Sequence, residues 1–241
     1  MLSVNRISVR RAQEMTLQDI SLTLAPCNTL AVVGESGAGK STLISTILGL
    51  VPCASGQVTW QDAPVRQCRP ALVMQEPRSA FNPRLSLYLS VSEPLNAVGK
   101  EMDQHRLDRL CKRLEIPRDL LWRRPTEVSI GQAQRVGILR ALIGEPPLVL
   151  FDEPLSALDA VTQKHTARLI ADLQSSEGFA ALIVTHDLGY AAAFADDIAV
   201  LRAGRIEEVT PAQNFVERPQ SDYGHQLREA AFTLGALEHV G

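Results

Sequence analysis

Apolar and polar side chains alternate along residues 2–33: Leu2, Val4, Ile7 and Val9 in one run, then Leu17, Ile20, Leu22 and Leu24 in the next. A period near two marks strands with one buried face, so this stretch predicts short strands joined by a polar turn over Arg10–Thr16. Thr29-Leu30-Ala31-Val32-Val33 is instead almost wholly apolar and rich in β-branched residues, as a buried strand should be. Leu43–Leu48 suits a helix that ends near Gly49. Ser55-Gly56 reads as a turn, and Gln57–Trp60 and Ala71–Met74 as strands. From Pro77 to about Pro125 the strand signal fades. Met102–Leu114 is a charged amphipathic stretch with Leu107, Leu110, Cys111 and Leu114 on one face at 3.6-residue spacing. Strands and helices then alternate: Leu148–Phe151, helix Val161–Gln174, strand Ala181–Val184, helix Gly189–Ala195. Ile198–Leu201 and Ile206–Val209 flank the turn Ala203-Gly204 as in a hairpin.

This alternation predicts an α/β fold with a mainly parallel sheet covered on both faces. Residues 1–76 and 148–210 form the expected core, 77–147 an inserted helical segment, and 211–241 a short tail of one single domain. The 241 residues, 45 % hydrophobic, suffice for one sizeable core. There is no internal repeat and no sustained heptad pattern. A formal charge of −3 with acids and bases interspersed gives no footprint for nucleic acid. No apolar run approaches a membrane span, and Met1–Arg6 lacks the apolar core of a signal peptide, so the expectation is a cytoplasmic chain. Cys27, Cys53, Cys68 and Cys111 are scattered without a C-x-x-C pair and read as reduced thiols.

Candidate chemistry begins at Gly34-Glu35-Ser36-Gly37-Ala38-Gly39-Lys40-Ser41-Thr42, a complete G-x-x-x-x-G-K-[ST] phosphate-binding loop between a strand and a helix. Its backbone N–H groups and the helix N-terminus suit one anion. Lys40 is placed to reach the β- and γ-phosphates, and the Ser41 hydroxyl to hold Mg²⁺. Downstream, an apolar strand ends in Asp152-Glu153. Asp152 suits Mg²⁺, and Glu153 suits polarising the attacking water as general base. Val184-Thr185-His186-Asp187 repeats that pattern and delivers His186 toward the γ-phosphate or the water. Gln75, after the strand ending at Met74, joins the expected Mg²⁺ and water shell.

Phosphate loop, Gln75, helical insertion, Ser129-Ile130-Gly131-Gln132-Ala133-Gln134-Arg135, Asp152-Glu153, Ser156-Ala157-Leu158-Asp159 and His186 occur in that order. The arrangement resembles the nucleotide-binding ATPase subunit of ABC (ATP-binding cassette) transporters across nearly the whole chain. The resemblance implies a P-loop core with an N-terminal antiparallel β subdomain and an inserted helical subdomain. It implies ATP and Mg²⁺ as ligands, and two subunits that sandwich ATP between the phosphate loop of one and the signature segment of the other. Ser129, Gly131 and Gln132 would serve that second role. The usual signature is Leu-Ser-Gly-Gly-Gln; here Val128 replaces leucine and Ile130 the first glycine. A β-branched side chain where close approach favours glycine implies slow hydrolysis at the partner's site, and a paralogue as the partner. No aromatic residue precedes the phosphate loop, so Arg10 or Arg11 is left to stack on adenine or to stand as a solvated turn residue.

Met74-Gln75-Glu76-Pro77-Arg78-Ser79-Ala80-Phe81-Asn82-Pro83 and Ser221–Leu227 resemble segments of the oligopeptide, dipeptide and nickel importer ATPases. The implied role is to power a bacterial importer of peptides or nickel and similar metal chelates. It implies a site at the cytoplasmic face of the inner membrane, two permease subunits, and a periplasmic or extracellular binding protein reached through them. A degenerate partner in a heterodimeric pair and a soluble ABC ATPase without a transport role are the alternatives.

Overall fold

The computed structural model describes residues 1–11, 14–233 and 235–237. The alternating N-terminal segment forms β1 (Leu2–Arg11) and β2 (Glu14–Leu24), paired antiparallel from Leu2↔Leu24 to Arg11↔Glu14. Both strands therefore run through most of the expected turn Arg10–Thr16. Backbone pairing continues there although the side chains are polar, because those side chains point to solvent. Ser55 and Gly56, expected as a turn, are likewise the first residues of β4 (Ser55–Trp60), which pairs with β1. With β5 (Ala63–Pro64) these strands make an antiparallel sheet in the order β2-β1-β4-β5.

The second sheet has the order β10-β9-β3-β8-β7-β6. It contains β3 (Thr29–Val33), β6 (Ala71–Val73), β7 (Leu148–Asp152), β8 (Ala180–Thr185), β9 (Asp197–Arg202) and β10 (Arg205–Pro211). All neighbours are parallel except the β9–β10 hairpin. That hairpin turns through Ala203 (φ 44°) and Gly204 (φ 75°), two left-handed positions that match the twist of the flanking strands.

The central strands are apolar on both faces because both are covered. In β3, Leu30 and Val32 face the core shared with α1 (Lys40–Ile47) and the antiparallel sheet. Ala31 and Val33 face the core beneath α6 (Leu188–Phe194), α7 (Ala212–Glu217) and α8 (Asp222–Thr233). In β7, Leu148 and Leu150 join the first core. Val149 and Phe151 join a third, beneath the helical insertion and α5 (Ala160–Glu177). Period-two sidedness thus persists in a sequence that shows no polar alternation.

The insertion holds α2 (Leu87–Asn96), α3 (Gln104–Arg113) and α4 (Ile130–Leu142). Asp103 caps α3 by accepting from the His105 and Arg106 amides at 2.9 and 3.3 Å. Leu107, Leu110, Cys111 and Leu114 form the buried face the sequence predicts. α2 carries Pro94 in its last turn, a residue that reads as a helix breaker. The helix survives because Leu87, Val91 and Leu95 make a buried stripe at four-residue spacing. Arg106 fastens the insertion to α5: its guanidinium donates to the Leu142 carbonyl at 2.8 Å and pairs with Glu177 at 2.9 Å.

Candidate active site

Four parallel strands end at one edge of the sheet. The pairs Val33↔Thr185, Asp152↔Val184 and Val73↔Phe151 stand level, so the chain leaves β3, β8, β7 and β6 together. The residues that follow are the phosphate loop, His186, Glu153 and, two residues beyond Val73, Gln75. This carboxyl edge is where open parallel sheets place ligands.

The loop is shaped by glycine. Gly37 (φ 82°) and Gly39 (φ 109°) are left-handed, and a Cβ at Gly34 would overlap the Leu201 carbonyl oxygen. Backbone therefore packs directly on backbone at Gly34. Lys40 is buried; its ammonium donates to the Gly34 and Glu35 carbonyls at 2.8 and 3.0 Å and lies 3.7 Å from Glu153 Oε1. The cation thus rests over the loop it serves. The Ser41 hydroxyl donates to Asp152 Oδ1 at 3.2 Å.

Glu153 has φ 45° although proline follows it, a conformation disfavoured for such a residue. Its amide donates to the Val184 carbonyl at 2.9 Å, which holds the turn. Strain of this kind gathers where a side chain must be aimed. The Glu153 side chain, 15 % exposed, points Oε2 at His186 Nδ1, 2.6 Å away, while the imidazole is 63 % exposed. Burial pushes the Asp152 carboxyl above its ordinary value, and Glu153 adds to the rise; the Ser41 hydrogen bond and then Lys40 pull it back.

The oxygen pair Ser41–Asp152 fits Mg²⁺. The ion takes hard oxygen ligands from few side chains and completes its shell with phosphates and water. Among the described residues no group of three or more His, Cys, Asp or Glu is placed to hold a metal ion. A cation there would also offset the cost of the half-buried Asp152 carboxylate.

Lys40, Ser41, Asp152, Glu153 and His186 are joined by direct contacts, and Gln75 stands exposed in the loop after β6. Ser129, Gly131 and Gln132 are elsewhere. Ser129 caps α4, accepting from the Gln132 amide at 3.1 Å, while Gln132 Oε1 accepts from the Ser129 amide at 2.9 Å. The neighbours of Gly131 are Thr162 and Leu158 on the α5 side. Ile130 stands beside them, 39 % exposed. Sequence reading did not place Leu201, Arg202 and Tyr223 behind the phosphate loop. They lie more than 160 residues further along the chain, and only the three-dimensional fold joins them to it.

Residues 17–156 match the family described as ABC transporter. The chain belongs to that family. Its relative OppF, the oligopeptide transport ATP-binding protein of Lactococcus lactis subsp. lactis, is 34 % identical over 229 residues, which cover 90 % of this chain and 72 % of that protein. The fold is shared with cbiO1 of Clostridium perfringens, part of the ABC transporter complex cbiONQ. The TM-score is 0.80 at 24 % identity, over 97 % of this chain and 95 % of that one. A dimeric ATP-binding cassette in a post-hydrolysis state, bound to ADP and Pi, matches with TM-score 0.75 at 26 % identity, over 88 % of this chain and 99 % of that one. Among the described residues of this ABC chain no helix is long and apolar enough to cross a membrane.

Proposed function

We propose that this chain is the ATP-hydrolysing subunit of a bacterial ABC importer whose cargo is peptide-like. The observation that carries the reading is the contact set Lys40–Glu153–His186 and Ser41–Asp152 beside a glycine-shaped loop at the sheet's carboxyl edge. The peptide class rests on the relationship to OppF, and the segment Met74–Pro83 agrees with it.

In this reading residues 34–42 wrap the phosphates with backbone amides, and Lys40 leaves the Gly34 and Glu35 carbonyls to neutralise phosphate charge. Ser41 and Asp152, with Gln75, would hold Mg²⁺, which would supply Lewis-acid charge neutralisation when bound. Glu153 takes a proton from the attacking water as its oxygen bonds to the γ-phosphorus and the bond from that phosphorus to the bridging oxygen breaks, leaving ADP and phosphate. His186, in contact with Glu153, orients it and reaches the γ-phosphate. In-line attack needs mainly positioning and charge neutralisation.

Ser129, Gly131 and Gln132 present a capped helix N-terminus to the phosphates of a second ATPase subunit. Ile130, on the open surface beside them, fits a paralogous partner whose own ATP site turns over slowly. Two membrane permeases and a substrate-binding protein reached through them complete the assembly, which places this chain at the cytoplasmic face of the membrane.

The test is uptake by the whole transporter in proteoliposomes, with labelled peptides and the binding protein outside and ATP inside. Lys40→Ala is expected to abolish both uptake and nucleotide binding. Full uptake by that variant would overturn the proposal.

A further inference from the structure

The C-terminal helix anchors itself behind the phosphate loop. Glu208 on β10 is buried, and its carboxylate accepts from the Gln220 amide at 2.5 Å and from the Ser221 hydroxyl at 2.9 Å. The Ser221 oxygen accepts in turn from the Gly224 amide at 2.9 Å, capping α8. A Cβ at Gly224 would overlap Glu208 Oε1, so the anchor requires glycine there. A buried carboxylate bonded at a helix start holds that turn rigidly.

The residue so fixed is Tyr223, 4 % exposed. Its ring centroid lies 4.5 Å from the Arg202 guanidinium, a cation–π contact that stops the ring turning away. Tyr223 and Arg202 face Glu35 to Ala38 across a cavity of about 210 Å³. The Tyr223 hydroxyl lies beside Glu35, within reach of its carboxylate and backbone, but makes no fully formed hydrogen bond among the described residues. Burial, then the Glu35 carboxylate beside it, pushes the phenol's pKa up. Glu35 is also where the resting Lys40 is held: its carbonyl accepts from Lys40 Nζ at 3.0 Å and from the Ala38 amide at 3.2 Å.

We propose that Tyr223 is a positioning residue of the nucleotide site, whose hydroxyl closes onto Glu35 when the loop wraps the phosphates. A buried hydroxyl with an incompletely formed bond is costly, and a bond to Glu35 completed in the liganded loop favours that state. The C-terminal helix thereby sets nucleotide affinity through Glu35 and Lys40, without touching the nucleotide. The inference rests on residues 34–42 being the nucleotide site.

The experiment uses the full chain, Mg·ADP and isothermal titration calorimetry, with the ATPase of the assembled transporter as second readout. Tyr223→Phe keeps the ring on Arg202 and removes only the hydroxyl. The Kd for Mg·ADP is expected to rise about fivefold, the worth of one ordinary hydrogen bond. KM for ATP should rise with kcat within about twofold. The melting temperature without nucleotide should be unchanged or higher, since a poorly bonded buried hydroxyl is gone, and the increment given by Mg·ADP should shrink. Unchanged Kd and KM in Tyr223→Phe would overturn the inference, as would a loss of nucleotide-free stability that accounts for the weaker binding. An unchanged chain that does not bind Mg·ADP would overturn the nucleotide reading itself, and this inference with it.

Discussion

Replacing Glu153 by glutamine separates binding from hydrolysis. The amide nearly matches the carboxylate in shape, so the left-handed turn held by the Val184 carbonyl should persist. Charge is what changes. Glu153 Oε1 lies 3.7 Å from Lys40 Nζ, with both side chains largely buried. At an effective dielectric of 20 that separation corresponds to about 4 kcal/mol of gross Coulomb attraction, most of it offset by desolvation. A net residue of about 1 kcal/mol now holds Lys40 away from phosphate, and removing it should tighten ATP binding by up to about fivefold. The same change deletes the proton acceptor for water, a loss of about 10²–10⁴ in rate. The two readouts therefore move in opposite directions. Equilibrium binding of Mg·ATP to Glu153→Gln and single-turnover release of labelled phosphate measure them separately. Hydrolysis within threefold of the unchanged chain, or ATP affinity weakened tenfold, would refute the assignment of Glu153 as base and as the counter-charge of Lys40.

Ile130→Gly should raise the ATPase rate of the assembled transporter several-fold, because the β-branched side chain stands where the partner's loop must approach; phosphate release assays check this, and an unchanged rate would remove Ile130 from the argument. Asp152→Asn should melt about 1–3 °C higher without metal and lose Mg²⁺ dependence of ATP binding, as scanning calorimetry and titration would record. The sign follows from a carboxyl raised in the folded chain. Between the ordinary aspartate pKa and the higher folded value the native state binds more protons, so stability falls as pH rises through that window, and the asparagine variant should lack this fall. Arg106→Ala leaves Glu177 facing Arg109 and Arg113 only at 4.0 and 3.9 Å. The loss should sit near the low end of the roughly 3–5 kcal/mol for a broken buried pair, read as a lower urea midpoint.

The α/β fold class and the level ends of its parallel strands were legible in the order of motifs. Lys40, Ser41, Asp152, Glu153 and His186 each follow a run of apolar residues, and such runs become parallel strands whose ends must line up. Their convergence was therefore legible from the order of motifs. The same holds for α3, where Leu107, Leu110 and Cys111 recur at helical spacing. What remained hidden depended on tertiary balance. α2 keeps Pro94 because packing along Leu87, Val91 and Leu95 outweighs one missing amide. The β1–β2 pairing continues through Arg10, Arg11, Glu14 and Met15 because backbone pairing does not require those side chains to be buried. Tyr223 and Arg202 reach the phosphate loop only through the β9–β10 hairpin, a contact that no local pattern encodes.

Why, then, should one chain carry a complete hydrolytic set and still depend on others? In the proposed reading the loop amides, Lys40 and Glu153 supply anion binding and a base, but this edge of the sheet stays open: His186 is 63 % exposed. In open solvent, water screens the charges that must stabilise the transition state, and nothing fixes the attacking molecule in line. A second subunit that laid a capped helix N-terminus over the γ-phosphate would exclude that water and add aligned donors at once. In the proposed assembly this chain offers such an end to the second subunit at Ser129, beside Thr162 and Leu158. Separating grip from closure in this way makes hydrolysis conditional on association, and association is the event that permease subunits can be built to sense.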